Sequence, residues 1–270
     1  MIIHKVFSAL GTINTISLNC DETYYSKAVC LLNAAESYVL DMDRRLSVFS
    51  EDSEINNINK NAGKASVKVS ADTLEILKQA ENYKKLTHGA FDICAKTRGK
   101  VKIYESRSEV KLTTHNREAD LGGIAKGYAI DTLLKLFENS KHCKIIINLG
   151  GTVVSLGAQH DIEIRNPFTE VHKITCLNSQ DEIFVTSGIY EQANHIINPV
   201  KKKSVDNELM SVTLLGKCGA MLDSLATACM VIGLKKSIKM LKKLNISGVF
   251  ILKSGEIIAT DSLKNRLKVG

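Results

Sequence analysis

Asp223 and Thr227 stand one helical turn apart in Asp223-Ser-Leu-Ala-Thr227. Positions i and i+4 share a helix face, so this carboxylate and this hydroxyl could hold one hard cation together. Mg2+ suits such a pair, because it takes oxygen ligands, few protein groups and substrate phosphates to fill its shell. The flanking residues Ala220, Met221, Leu222, Leu225, Ala226 and Ala228 are apolar, so a carboxylate buried here needs a partner. In the plainer alternative, Asp223 caps a neighbouring backbone and Thr227 bonds its own i−4 carbonyl; pattern alone favours it.

A second stretch, Asp120-Leu-Gly-Gly-Ile-Ala-Lys-Gly127, precedes a helical pattern running from about Ile124 to Phe137. Gly122 and Gly123 lack a Cβ, so a ligand or metal can come close to the backbone. The helix N-terminus would face that ligand with free N–H groups and would prefer an anion. Lys126 opposes the dipole from the first turn, a placement that makes sense if it reaches a phosphate. A strand–turn–helix junction with glycines kept for packing explains the stretch equally well. His195, before Ile196 and Ile197, could serve as general base or phosphate donor, although a lone His beside a strand is more often a structural hydrogen-bonder.

Several chemistries lack their signatures. Gly-Gly-Ile-Ala-Lys-Gly is not a phosphate-binding GxxxxGK[ST] loop, and no GxGxxG follows a strand. Ser187 is not in a GxSxG elbow. The seven cysteines, at 20, 30, 94, 143, 176, 218 and 229, form no CxxC, and the histidines have no metal spacing. Buried free thiols in a reducing cytoplasm are the expectation. The start lacks a signal peptide or lipobox pattern, and no apolar run is long enough to span a bilayer, so cytoplasmic localisation is expected. The net charge of +7 reads as a solvated basic face, and few aromatics and no nucleic-acid module argue against nucleic acid as partner.

The elements that must position these residues alternate irregularly. Strands are expected at 2–7 and 12–18, and a long helix from Tyr24 to about Leu46. Asp52 or Ser53 can cap a short helix, and Ser70 a longer one with Leu74, Leu77, Ala80 and Lys84 on one side, ending at Gly89. Residues 95–117 read as a loop with one or two short strands. Strands follow at 144–149, 152–156, 161–165, 171–176, 182–186 and 209–215, with an edge segment at 194–199. Helices are expected at Gly219–Ile232 and Leu234–Leu244, then a hairpin across Ser254-Gly255. Strict βαβ alternation is missing, so the fold class is α+β. With 270 residues and 44% hydrophobic content, the chain is long enough for a sizeable core.

In order along the chain, eight segments resemble the ApbE family of flavin transferases. They are Phe7-Ser-Ala-Leu-Gly-Thr12, Arg45-Leu-Ser-Val-Phe-Ser-Glu-Asp-Ser-Glu-Ile55, His88-Gly-Ala-Phe-Asp92 and Asp120–Gly127, then Asn148-Leu-Gly-Gly151, Thr186-Ser-Gly-Ile-Tyr-Glu191, His195-Ile-Ile-Asn-Pro199 and Asp223–Thr227. The resemblance implies one domain over residues 1–270, a T-fold of two intertwined lobes with FAD between them. It implies that Asp223, Thr227 and the backbone oxygen of Gly123 hold Mg2+. Leu10, Phe49, Ala90, Phe91, Asp92, Asp120, Lys126 and Ile197 would line the FAD site, with His195 catalytic at the reacting pyrophosphate. The implied reaction moves FMN from FAD to a Thr or Ser hydroxyl of an acceptor flavoprotein and releases AMP. Alternatives are a Mg2+-dependent FAD pyrophosphatase and a non-catalytic flavin-binding protein. The chain departs from the family pattern at Leu10 (usually Met) and Phe49 (usually Tyr), and in the short basic 94–117 segment. The loop usually reading Asp-Pro-x-Thr-Gly is here Asn198-Pro-Val-Lys-Lys202.

Overall fold

The computed structural model describes residues 1–97, 99–116, 118–169, 174–190 and 195–269. The chain opens with strands β1 (Ile2–Ala9) and β2 (Thr12–Cys20), followed by helices α1 (Tyr25–Leu46) and α2 (Glu54–Lys60). Next come β3 (Val67–Lys68), α3 (Ala71–Leu86), β4 (Val101–Tyr104), β5 (Glu109–Leu112) and α4 (Ala125–Leu136). A β-rich run holds β6 (Cys143–Leu149), β7 (Thr152–Leu156), β8 (His160–Ile164), β9 (Ile174–Ser179), β10 (Ile183–Gly188), β11 (Ile197–Asn198), β12 (Lys203–Ser204) and β13 (Leu209–Gly216). The chain ends with α5 (Gly219–Ile232), α6 (Leu234–Leu244), β14 (Ser247–Leu252), β15 (Ile257–Ala259) and β16 (Leu267–Val269).

One eight-stranded antiparallel sheet, ordered β1-β2-β6-β7-β10-β13-β14-β15, is the scaffold. Side chains alternate along its strands, and β10, β13 and β14 thereby serve two cores. On β10, Ile183 and Val185 join the main core with the helices, whereas Phe184 joins Leu215, Val249 and Ile251 in a second core. The small sheet β16-β9-β8 supplies Ile162, Ile164 and Ile174 to that second core. Helix α5 is apolar almost all round, which suits a helix surrounded by protein. It packs between β10, β13, α3, α4 and α6. Fully burying a side chain such as Leu222 or Met230 contributes about 1.5–3 kcal/mol.

The α+β class and most expected elements are present, and local caps set several bounds. Ser53 and Ser70 accept from the backbone N–H of Asn56 and Thr73. The buried face of α3 is Thr73, Ile76, Leu77 and Ala80, not the expected Leu74 and Lys84. The expected strand at 171–176 begins outside the described residues, as does part of the 194–199 segment; β9 and β11 are what the described part contains. No helix among the described residues is long and apolar enough to cross a membrane.

The cysteines require a correction. Cys20 ends β2 and Cys143 begins β6, directly opposite in register, and a disulfide joins them across a Cα–Cα distance of 4.4 Å. Facing pairs in an antiparallel ladder come close enough for such a bridge. The remaining five, Cys30, Cys94, Cys176, Cys218 and Cys229, are free thiols. An expectation of seven free thiols, and the reducing compartment inferred from it, therefore loses its premise. Denatured protein should take up five equivalents of a thiol reagent before reduction and seven after. Seven before reduction would show the bridge absent.

Candidate functional site

Helices α4 and α5 start side by side with no side chain between them. A Cβ on Gly127 would stand 2.1 Å from the carbonyl oxygen of Gly219, and one on Gly219 would stand 2.4 Å from that of Gly127. The first N–H groups of any helix lack intrahelical acceptors. Here each helix start is served by an acid of the other. Asp223 Oδ2 on α5 accepts from Gly127 N–H at 3.0 Å. Asp131 on α4 accepts from Gly219 and Ala220 N–H at 2.6 and 2.9 Å. Burial pushes the Asp131 carboxyl above the usual carboxylate range, against the pull of those two N–H groups. Burial also raises the Cys218 thiol, with the charge of Asp131 adding to it, and it raises the Tyr83 phenol, which contacts Cys218.

Asp223 is only 3% exposed, yet it spends one oxygen on Gly127 and has no other hydrogen-bond partner among the described residues. The Thr227 hydroxyl makes no hydrogen bond among them, so it does not return to the i−4 carbonyl. The plainer expectation therefore holds for half of Asp223 and not for Thr227. A Cβ on Gly123 would lie 2.9 Å from Thr227 Oγ1 and 3.3 Å from the Phe91 ring, so the missing side chain keeps this corner open. No group of three or more His, Cys, Asp or Glu side chains is placed to hold a metal among the described residues. What remains is one carboxylate oxygen of Asp223 and the hydroxyl of Thr227, with the Gly123 backbone beside that hydroxyl. That donor set fits a hard cation such as Mg2+, which keeps most of its shell for water and phosphate, and would not suit zinc.

These groups open onto a cleft of about 440 Å³. Each residue that the family resemblance implies for the site lines it: Leu10, Phe49, Ala90, Phe91, Asp92, Asp120, Gly123, Lys126, His195, Ile197, Asp223 and Thr227. Leu10 reaches the cleft from the two-residue β1–β2 turn, where it and Gly11 both have positive φ, 53° and 72°. This twist matches a tight hairpin, and for leucine it is strained. Phe49 stands 94% exposed at the rim, in the turn after α1. Phe91 is buried, its N–H donated to Thr87 Oγ1. Asp92 accepts from Cys94 N–H and forms an ion pair with Lys84 at 2.9 Å. Asp120 Oδ1 accepts from Gly122 N–H, which folds the backbone back before α4. Lys126 Nζ lies 3.4 Å from the Gly122 carbonyl. His195 is exposed, just before β11.

Some supporting residues carried no sequence signal. Asn59 of α2 clasps Ala119 with both its amide oxygen and nitrogen, at 2.8 and 3.0 Å, and so fixes the approach to the glycines. Lys84 is the partner of Asp92 and does not belong to the apolar side of α3. Nothing in the sequence singles out Asp131 of α4. Asn59 and Asp131 act on residues 60 and 88 positions away, and Lys84 acts on Asp92 beyond the end of its helix, so no helical spacing reports them.

An eight-stranded antiparallel sheet with a cleft over two abutting helix starts is a fold seen before. It matches the ApbE protein of Thermotoga maritima with a TM-score of 0.86 at 22% identity, covering 98% of this chain and 99% of that one. It matches the flavin transferase ApbE of Vibrio cholerae with a TM-score of 0.81 at 21% identity over the same shares. The ApbE family model matches residues 10–102 and 95–250, and the chain belongs to that family. Among curated relatives, the FAD:protein FMN transferase of Klebsiella pneumoniae (strain 342) is 27% identical over 259 residues, 82% of each chain. The protein of the same name from Haemophilus influenzae is 24% identical, over 84% of this chain and 80% of its own.

Gly127→Ala should force α4 and α5 apart. A urea titration is expected to show a loss of about 3 kcal/mol relative to wild type. An unchanged midpoint would mean the two helix starts are not in contact.

Proposed function

We propose that this protein is a Mg2+-dependent FAD:protein FMN transferase, joining FMN by a phosphoester bond to a Thr or Ser hydroxyl of an acceptor flavoprotein and releasing AMP. The observation that carries the reading is that twelve residues from six separated stretches line one cleft beside the start of α4. The relatives named above bear the same activity in their names.

Asp223, Thr227 and the backbone oxygen of Gly123 would hold the metal. When bound, Mg2+ supplies charge neutralisation to a diphosphate and to the phosphate that departs from it. The chain's own groups do the rest. The N-terminus of α4 and the Lys126 ammonium present positive field to the FAD pyrophosphate. Phe91 and Leu10 offer apolar surface to the flavin nucleotide, and exposed Phe49 can stack on a ring of it. Asp92, held by Lys84, keeps a fixed acceptor in the wall. His195, which lines the cleft, would take the proton of the attacking hydroxyl. The acceptor oxygen forms a bond to the FMN phosphorus, the bond from that phosphorus to the bridging oxygen breaks, and AMP leaves with the electron pair.

Incubation with FAD, Mg2+ and a flavoprotein acceptor is the test. Flavin fluorescence on the denatured acceptor, with AMP in equal amount, is expected. Free FMN with no labelled acceptor would favour the pyrophosphatase, and bound FAD with no AMP would favour a binding protein. Chelation of Mg2+ and Asp223→Ala should each lower AMP release by about a hundredfold or more. His195→Ala should slow transfer about a hundredfold with FAD affinity changed less than about threefold. Equal loss of both would remove His195 from proton transfer.

A further inference from the structure

Lys202 closes the loop Pro199–Lys202 between β11 and β12, and its φ is +56°. Side chains disfavour this left-handed backbone, and glycine is its usual occupant. The contacts of the Lys202 side chain account for the exception. Its ammonium donates to the carbonyl of Ala95 at 3.0 Å and also to that of Thr97. Ala95 and Lys96 line the cleft from the segment after Asp92. Ile197 and Pro199 line it from the hairpin, and His195 precedes them by two and four positions. The β11–β12 ribbon comprises two cross-strand pairs and joins no other sheet among the described residues. So short a ribbon has little stability of its own. An ammonium shared between two backbone carbonyls makes charge-assisted bonds, stronger than neutral ones.

We propose that Lys202 is a positioning residue that clamps the β11–β12 hairpin to residues 95–97 and so sets the cleft width between Ile197 and Ala95. Its consequence for ligand rests on the transferase reading above: the clamped wall holds FAD. Lys202 touches no reacting atom in this scheme. It acts through Ile197 and His195, which are displaced when the hairpin loosens.

Two substitutions separate the clamp from the backbone. Lys202→Met removes the ammonium and keeps the bulk, whereas Lys202→Gly removes the clamp and relieves the left-handed strain. Amide hydrogen exchange without FAD is expected to rise about tenfold in both variants at 95–97 and 197–204, with α5 unchanged. The FAD dissociation constant, read from flavin fluorescence in Mg2+ buffer, is expected to rise about tenfold in both. The melting temperature of Lys202→Gly should be no lower than that of Lys202→Met, because both lack the clamp and only glycine relieves the left-handed strain; a lower one would overturn the strain at this position. Unchanged exchange in both variants would overturn the clamp. Faster exchange with unchanged FAD affinity would overturn its role in the site. Wild-type protein that binds no FAD would sink the transferase reading and the affinity consequence, while the exchange result would still decide the clamp.

Discussion

Two carboxylates that each cap a foreign helix hold this site in shape. Asp223 belongs to α5 and serves α4; Asp131 belongs to α4 and serves α5. The exchange is possible only because Gly127 and Gly219 let the backbones touch. Helix starts concentrate unpaired N–H groups and positive potential, so a buried carboxylate finds there the partner it needs. The arrangement also leaves Asp223 with an oxygen unspent. A carboxylate anchored by one oxygen has its orientation fixed before any ligand arrives.

Around this pair, rigid and adaptable parts divide the labour. The large sheet and the enclosed helix α5 supply the floor of the cleft through Thr186, Ser187, Gly188, Asp223 and Thr227. Turns and short segments make the walls: the β1–β2 corner, the turn after α1, the stretch after α3 and the β11–β12 hairpin. Segments without regular structure satisfy few of their own backbone groups, so side chains must pin them. Asn59 pins Ala119, Lys84 pins Asp92, and Lys202 pins residues 95–97. The cleft's precision thus depends on polar contacts between its separate wall segments and the elements packed against them.

Local features were legible before any fold was known. The bounds of α5 and α6 match those expected from the sequence, and Ser53 and Ser70 announce the helices they cap. Those signals act within four residues, where sequence spacing and spatial spacing are nearly the same. The weaker readings involve a choice among distant partners. Cys20 and Cys143 look like isolated thiols until β2 and β6 pair. Thr227 could have bonded its own helix, and only the approach of Gly123 shows a hydroxyl kept open.

By itself the sequence determined the elements, the α+β class, the order of the family motifs and the residue types that could bind a phosphate or a hard cation. These depend on propensity, period and short spacing, which the chain carries locally. Tertiary structure alone decided that six separated stretches share one cleft, that Asp131 and Asp223 exchange helix starts, and that Lys202 bridges two walls. Such pairings arise between residues about 90 to 110 positions apart. Their partners are selected by packing of the whole core, and no window of sequence contains that information.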